Sequence, residues 1–266
     1  MPALTLSLLQ TATHWHDAAA NRAHFERLFS ELPDDGQLVV LPEMFSTGFT
    51  MASTAQAEPV DGPTTEWLRV MAARWQRAFC GSLIVVEDGQ FYNRFLLVTA
   101  DGAVQHYDKR HRFRMAGEHE HFAAGKTRRI FQLDGFRICP QVCYDLRFPV
   151  FSRNLEDYDV LLYVANWPAP RALAWNTLLR ARAIENLAYT VGLNRIGTDG
   201  NDVGYQGDSA IYGPDGAGLL QLADAATVAT TTLSLETLEA YRERFPAWRD
   251  RDAFELDFGA AEPAGS

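Results

Sequence analysis

A glutamate, a lysine and a cysteine each sit where a strand-like stretch of the chain ends: Glu43 in VVLPEMF, Lys109 in AVQHYDK, and Cys143 at the junction of FRICPQVC and CYDLRFP. Together these three types can cleave an acyl bond. A thiol attacks a carbonyl carbon once a base removes its proton. A carboxylate can be that base if burial raises its pKa toward neutrality. A fixed ammonium can meet the negative charge that develops on the carbonyl oxygen. Singly, each has a plainer reading: a small buried hydrophobe for the cysteine, a loop-starting surface carboxylate, and a solvated lysine at a strand end. The address of Cys143 favours chemistry, because a sharp strand-to-helix turn exposes the side chain and aims backbone N–H groups at developing charge. Cys139 lies four residues earlier, in mid-strand, and reads as core.

Other arrangements compete for the same chemistry. His111, His119 and His121 are candidate bases for a cysteine–histidine pair. None carries a local signature for that role. The run EHEH (118–121) alternates possible zinc ligands but has no third anchor at diagnostic spacing, so no metal or other cofactor is expected. Cys139 and Cys143 in one strand would lie roughly 13 Å apart, too far for a bridge. With Cys80 they make an odd set of three, which does not suit a disulfide framework.

The elements that must position these residues follow from periodicity and turn signals. Strands are predicted over 4–10, 38–41, 81–86, 91–99, 103–107, 128–133, 136–143, 159–165, 189–195, 208–212, 218–222 and 227–233. Helices are predicted over 18–31 with Asp17 as N-cap, 63–79 with Pro63 in the first turn, from about Phe148, over 171–187 and over 234–243. Residues 109–127 lack a period and read as a loop, and the tail 259–266 as mobile. Trp67, Trp75 and Phe79 read as core. Arg182, Glu185 and Asn186 share a helical turn and can pair locally, and Asp145 and Arg147 can brace the turn at Cys143. Apolar strands alternating with helices, and no linker, predict one α/β domain over 1–266 with strands buried on both faces.

Composition narrows the partners. Acidic residues outnumber basic ones 34 to 24, a net charge of −10, which repels phosphate backbones and makes nucleic acid a poor partner. No apolar run is long enough to span a membrane, and the N-terminus lacks the pattern of a secretion signal, so a cytoplasmic protein is expected.

The order and context of LPEMFSTGF, YDKRHRF and CYDLRFP, with NRF (93–95), EHEHFAAG (118–125) and ARAIENLAYTVGLNR (181–195), resemble the nitrilase, or carbon–nitrogen hydrolase, superfamily. The resemblance runs from Leu4 to about Asp252. It implies a four-layer α-β-β-α sandwich of two mostly six-stranded sheets, assembled as a homodimer or larger. It also implies Glu43 as general base, Lys109 as oxyanion lysine, Cys143 as nucleophile and the Tyr144 N–H as second oxyanion donor. A further glutamate is matched by Glu118, with Glu120 as rival. VANWPAPR (164–171), CYDLRFPVFSRN (143–154) and NRIGTDGN (194–201) look most like the omega-amidase branch, which hydrolyses the terminal amide of short 2-oxo acid amides. A nitrile substrate and a non-catalytic interaction protein are the alternatives. For a small anionic amide, Arg147 and Arg171 are candidate carboxylate grips, and Phe113 and Trp167 candidate walls.

Overall fold

The computed structural model describes residues 2–256; the tail expected to be mobile lies outside them. In chain order the larger elements are β1 (Ala3–Gln10), α1 (Ala18–Leu28), β2 (Leu38–Val40), α2 (Ser53–Gln56), β3 (Glu58–Pro59), α3 (Pro63–Trp75), β4 (Ala78–Glu87), β5 (Gln90–Val98), β6 (Val104–Asp108) and α4 (Glu118–His121). Then come β7 (Phe131–Leu133), β8 (Phe136–Val142), α5 (Pro149–Ser152), β9 (Val160–Ala165), α6 (Ala172–Asn186), β10 (Tyr189–Asn194), β11 (Ile196–Thr198), β12 (Gly204–Gln206), β13 (Ala210–Tyr212), β14 (Gly218–Gln221), β15 (Thr227–Ser234) and α7 (Leu235–Arg244).

Two sheets carry the fold. One has seven strands, in the order β15-β1-β2-β4-β5-β6 with β3 paired to β4; the other has six, in the order β14-β13-β10-β9-β8-β7. Alternation with period two sorts the first sheet's side chains. Leu4, Leu6, Leu8, Leu38, Val40, Phe95 and Leu97 face the second sheet and join Phe136, Ile138 and Val160 in one core. Their neighbours Leu9, Val39, Leu41, Leu96 and Val98 face outward, under Phe25 of α1 and Leu68 and Met71 of α3. On the far side α6 covers the second sheet with Trp175, Leu179 and Ala183. Gly192 of β10 permits that approach, since a Cβ there would lie 2.4 Å from Leu179. This is the four-layer sandwich the resemblance implies, with one sheet a strand larger.

Each sheet has three parallel strands at its centre, β1, β2 and β4 in one and β8, β9 and β10 in the other. Ligand sites in α/β folds gather at the carboxyl ends of such strands. Glu43 follows β2, Cys143 follows β8 and Asn166 follows β9, so the chemistry collects at one edge of the sandwich.

Several boundaries differ from expectation. The helix predicted over 63–79 stops at Trp75, because Gln76 turns left-handed (φ 50°) and Ala78 already pairs with Leu38. The helix predicted over 18–31 ends in a 3-10 turn from Phe29. The hairpin of β11 and β12 was not anticipated. The segment 109–127 is not wholly irregular: α4 occupies one turn of it and carries Glu118 inward. Among the described residues, no helix is long and apolar enough to cross a membrane.

The return from α4 depends on Gly125. Its N–H donates to the Lys109 carbonyl at 2.9 Å, and a Cβ there would lie 1.9 Å from the Asp108 carbonyl oxygen. Gly125→Ala is therefore expected to destabilise the protein by about 1–3 kcal/mol. Calorimetry should show the melting temperature lowered by several degrees, whereas an unchanged melting curve would mean the loop moves aside freely.

Candidate active site

Lys109 leaves β6 and its ammonium ends between two carboxylates. Nζ donates to Glu43 Oε1 at 2.9 Å and to both oxygens of Glu118 at 2.9 Å. The three side chains are 1%, 0% and 0% exposed in that order. Burial alone would lower the pKa of the lysine, but the charges of Glu118 and Glu43 outweigh it and raise it. Burial, then the Glu43 charge, push Glu118 above the usual carboxylate range while Lys109 opposes them. Of the two rival glutamates, Glu118 makes this contact; Glu120 is exposed beside His119.

The carboxylate of Glu43 is held on both oxygens. Asn93 of β5 donates to Oε1 at 2.7 Å, and Ser82 of β4 donates to the Asn93 side-chain oxygen at 2.8 Å. The same Ser82 hydroxyl accepts from the Met44 N–H at 2.9 Å, holding the residue after Glu43 in its left-handed conformation (φ 43°). Across the seam between sheets, the Asn166 backbone N–H donates to Glu43 Oε2 at 2.8 Å and its side-chain amide to the Glu43 carbonyl at 2.8 Å. Glu118 Oε2 also accepts from the Phe113 N–H at 2.6 Å, closing the loop 113–118.

Cys143 is the first residue of a 3-10 turn (Cys143–Arg147) and is left-handed, φ 45°, which a non-glycine residue adopts only under constraint. Its Sγ lies 3.8 Å from the Asn166 carbonyl oxygen. Burial, then the Glu43 charge, push the thiol well above its ordinary value, with Lys109 pulling the other way. Cys139 is wholly buried in β8 and Cys80 in β4; all three thiols are free. Of the three candidate histidines, His111 is committed elsewhere, its Nδ1 lying 2.7 Å from Asp145.

Above these groups opens a cavity of about 280 Å³ whose lining includes Lys109, Cys143, Asn166, Phe113, Tyr144 and Trp167. Arg147 and Arg171 line it too, the first 4.8 Å over the Trp167 ring and the second 5.2 Å over Phe113. Asp145 does not bind Arg147; it holds backbone and ring groups described below. Neither arginine forms an ion pair within the described residues. Sequence reasoning missed Asn93, Asn166, Phe49, Asp199 and Tyr205. The last three line the same cavity, and Asp199 fixes its hairpin by accepting from Tyr205 Oη at 2.8 Å. The one available signal for Asn93 and Asn166 was a polar residue inside or just after an apolar strand.

Residues 5–243 match the family model described as carbon-nitrogen hydrolase. The chain belongs to the carbon-nitrogen hydrolase family. The hydrolase is 51% identical to omega-amidase YafV of Yersinia enterocolitica over 96% of its own length and 100% of the relative's. It is 29% identical to the 2-oxoglutaramate amidase of Bacillus subtilis, covering 92% of this chain and 96% of that one. A crystal structure of a CN-hydrolase superfamily protein from Xanthomonas campestris, carrying an arsenic adduct in its active site, superimposes with a TM-score of 0.94 at 47% identity, over 97% of this chain and 100% of that one.

Burial, and then the charges around Cys143, set the sign of a pH test. In the resting hydrolase its thiolate absorbance, taken as the difference from Cys143→Ala, should be absent at neutral pH and rise only above pH 9, the ordinary value for the group. Lys109→Met removes the one lowering charge and should move that rise higher still. A plateau already reached at neutral pH would mean that the free hydrolase holds a thiolate.

Proposed function

We propose that this hydrolase is an omega-amidase that cleaves the terminal amide of a short 2-oxo acid amide such as 2-oxoglutaramate. One observation carries the reading: a buried ammonium clamped by two carboxylates on the floor of the cavity that Cys143 enters. Similarity to an omega-amidase over nearly the whole chain supports the substrate class.

The reaction runs in two acyl transfers. Glu43 takes the Cys143 proton as Sγ attacks the amide carbon. The oxygen, now negative, is met by Lys109 and by the Tyr144 N–H, which lies in the first turn where a helix leaves its donors unused. Glu43 returns the proton to nitrogen, the C–N bond breaks and ammonia leaves a thioester on Cys143. Glu43 then deprotonates a water that attacks the thioester, and the carboxylic acid leaves as the thiol regains its proton. Glu118 adds a second negative charge, keeping the ammonium protonated throughout. The resting thiol is neutral, so its proton moves only as the carbon–sulfur bond forms.

The cavity suits a short substrate, since sites for drug-sized molecules span about 300–1,000 Å³. Phe113 and Trp167 supply apolar walls. Arg147 and Arg171 are cations that can receive the far carboxylate, each already oriented by an aromatic ring. The reading includes assembly as a homodimer or larger through the helix layer, where α6 leaves Leu173 and Ile184 exposed.

Ammonia release tests the proposal. 2-Oxoglutaramate should be cleaved at least about tenfold faster, by kcat/KM, than its neutral methyl ester, a difference of roughly 1.4 kcal/mol. Cys143→Ala should abolish turnover and Cys139→Ala should retain it. Equal rates on acid and ester would remove the carboxylate grip, and faster release from a nitrile of similar length would make the protein a nitrilase.

A further inference from the structure

Asp145 is wholly buried, two residues past Cys143, and is not among the residues that line the cavity. Its two oxygens accept four bonds. Oδ2 accepts from the Val142 N–H at 2.9 Å and from Tyr107 Oη at 2.8 Å. Oδ1 accepts from the His111 N–H at 2.9 Å and lies 2.7 Å from His111 Nδ1. Val142 is the residue before Cys143. Tyr107 and His111 flank Lys109, two residues to each side. Tyr107 Oη in turn accepts from the N–H of Arg110, the residue after Lys109, at 3.0 Å. A short relay therefore runs from the peptide beside Lys109, through Tyr107 and Asp145, to the N–H of the residue before Cys143.

The relay crosses between the sheets, because Tyr107 belongs to β6 and Val142 to β8, which lie in different sheets. The His111 ring is also stacked on Phe148, with centroids 3.7 Å apart and planes 5° apart, and Phe148 ends the turn that Cys143 begins. The left-handed Cys143 is thus gripped before and after, from the loop that carries Lys109. Backbone held in that conformation persists only when its surroundings over-determine it.

We propose that Asp145 is a positioning residue: through Tyr107 and His111 it sets the Cys143 turn against the Lys109 loop, so that nucleophile and oxyanion cation meet the same carbonyl group. This rests on the roles given above to Cys143 and Lys109. Such a residue acts on the geometry of attack and not on substrate affinity. A misplacement of about 1 Å in a reacting group can cost on the order of 100-fold in rate.

Steady-state kinetics on purified Asp145→Asn, Tyr107→Phe, the double variant and Cys143→Ala test it, with melting curves alongside. Asparagine keeps the shape, but its amide end cannot accept a bond. Asp145→Asn should lower kcat by about 100-fold with KM within about threefold. Tyr107→Phe removes both bonds of the hydroxyl and should lower kcat roughly tenfold, with little change in melting temperature. The double variant should be no slower than Asp145→Asn alone, because both changes cut one relay. If Asp145→Asn fails to fold, Tyr107→Phe decides by itself. Retention of kcat within twofold in Tyr107→Phe, losses that multiply in the double variant, or a rise in KM in place of the fall in kcat would overturn the proposal while an inactive Cys143→Ala leaves the nucleophile in place. Turnover by Cys143→Ala would overturn both.

Discussion

A buried ammonium with two carboxylates on it is the constraint around which this protein is arranged. An isolated charge of either sign at this depth would be strongly disfavoured, and removing one member of such a group leaves another uncompensated. Lys109, Glu43 and Glu118 satisfy one another at 2.9 Å. Burial, and then the Glu43 charge, hold the neighbouring thiol of Cys143 above its ordinary pKa, so in the proposed mechanism its proton leaves during attack. Low dielectric strengthens each of these interactions and makes misalignment costly.

The members come from distant parts of the chain, so the fold must deliver them together. Glu43 ends a central strand of one sheet, Cys143 a central strand of the other, and Lys109 an edge strand of the first. Hydrophobic burial brings the sheets face to face but does not select a register between them. Directional bonds do that. Asn166 reaches from the second sheet to both the carboxylate and the backbone carbonyl of Glu43, across 123 positions of sequence. Gly125 lets the loop bearing Glu118 return against β6 where any side chain would collide with Asp108.

Much of this was legible in the sequence. Glu43, Lys109 and Cys143 stand out because each follows an apparent strand in a recognisable motif, and the meander β4 to β6 because its turns are marked by Gly89 and Asp101–Gly102. What was hidden depends on long-range pairing. The end of α3 reads past Trp75 because Gln76 and Arg77 carry no stop signal such as glycine, and the left-handed turn at Gln76 and the pairing of Ala78 with Leu38 separate helix from strand. The hairpin of β11 and β12 is built from IGT and GYQ, short and polar, with no alternation to betray it. The resemblance already favours Glu118 over Glu120, and a one-turn helix carries Glu118 inward to Lys109. Asn93 and Asn166 look like ordinary polar residues until their partners in other strands are seen.

The claim that Lys109 and the glutamates act as one unit is tested most directly by a cycle of kcat values for Lys109→Met, Glu118→Gln and the pair. Residues that work as a unit show strongly non-additive losses. The account expects Glu118→Gln to be slow, Lys109→Met slower, and the double variant within about threefold of Lys109→Met, an interaction well outside the scatter of independent sites. Losses that multiply in the double variant would contradict it, since Glu118 would then act on the reaction by a route that does not pass through the buried ammonium.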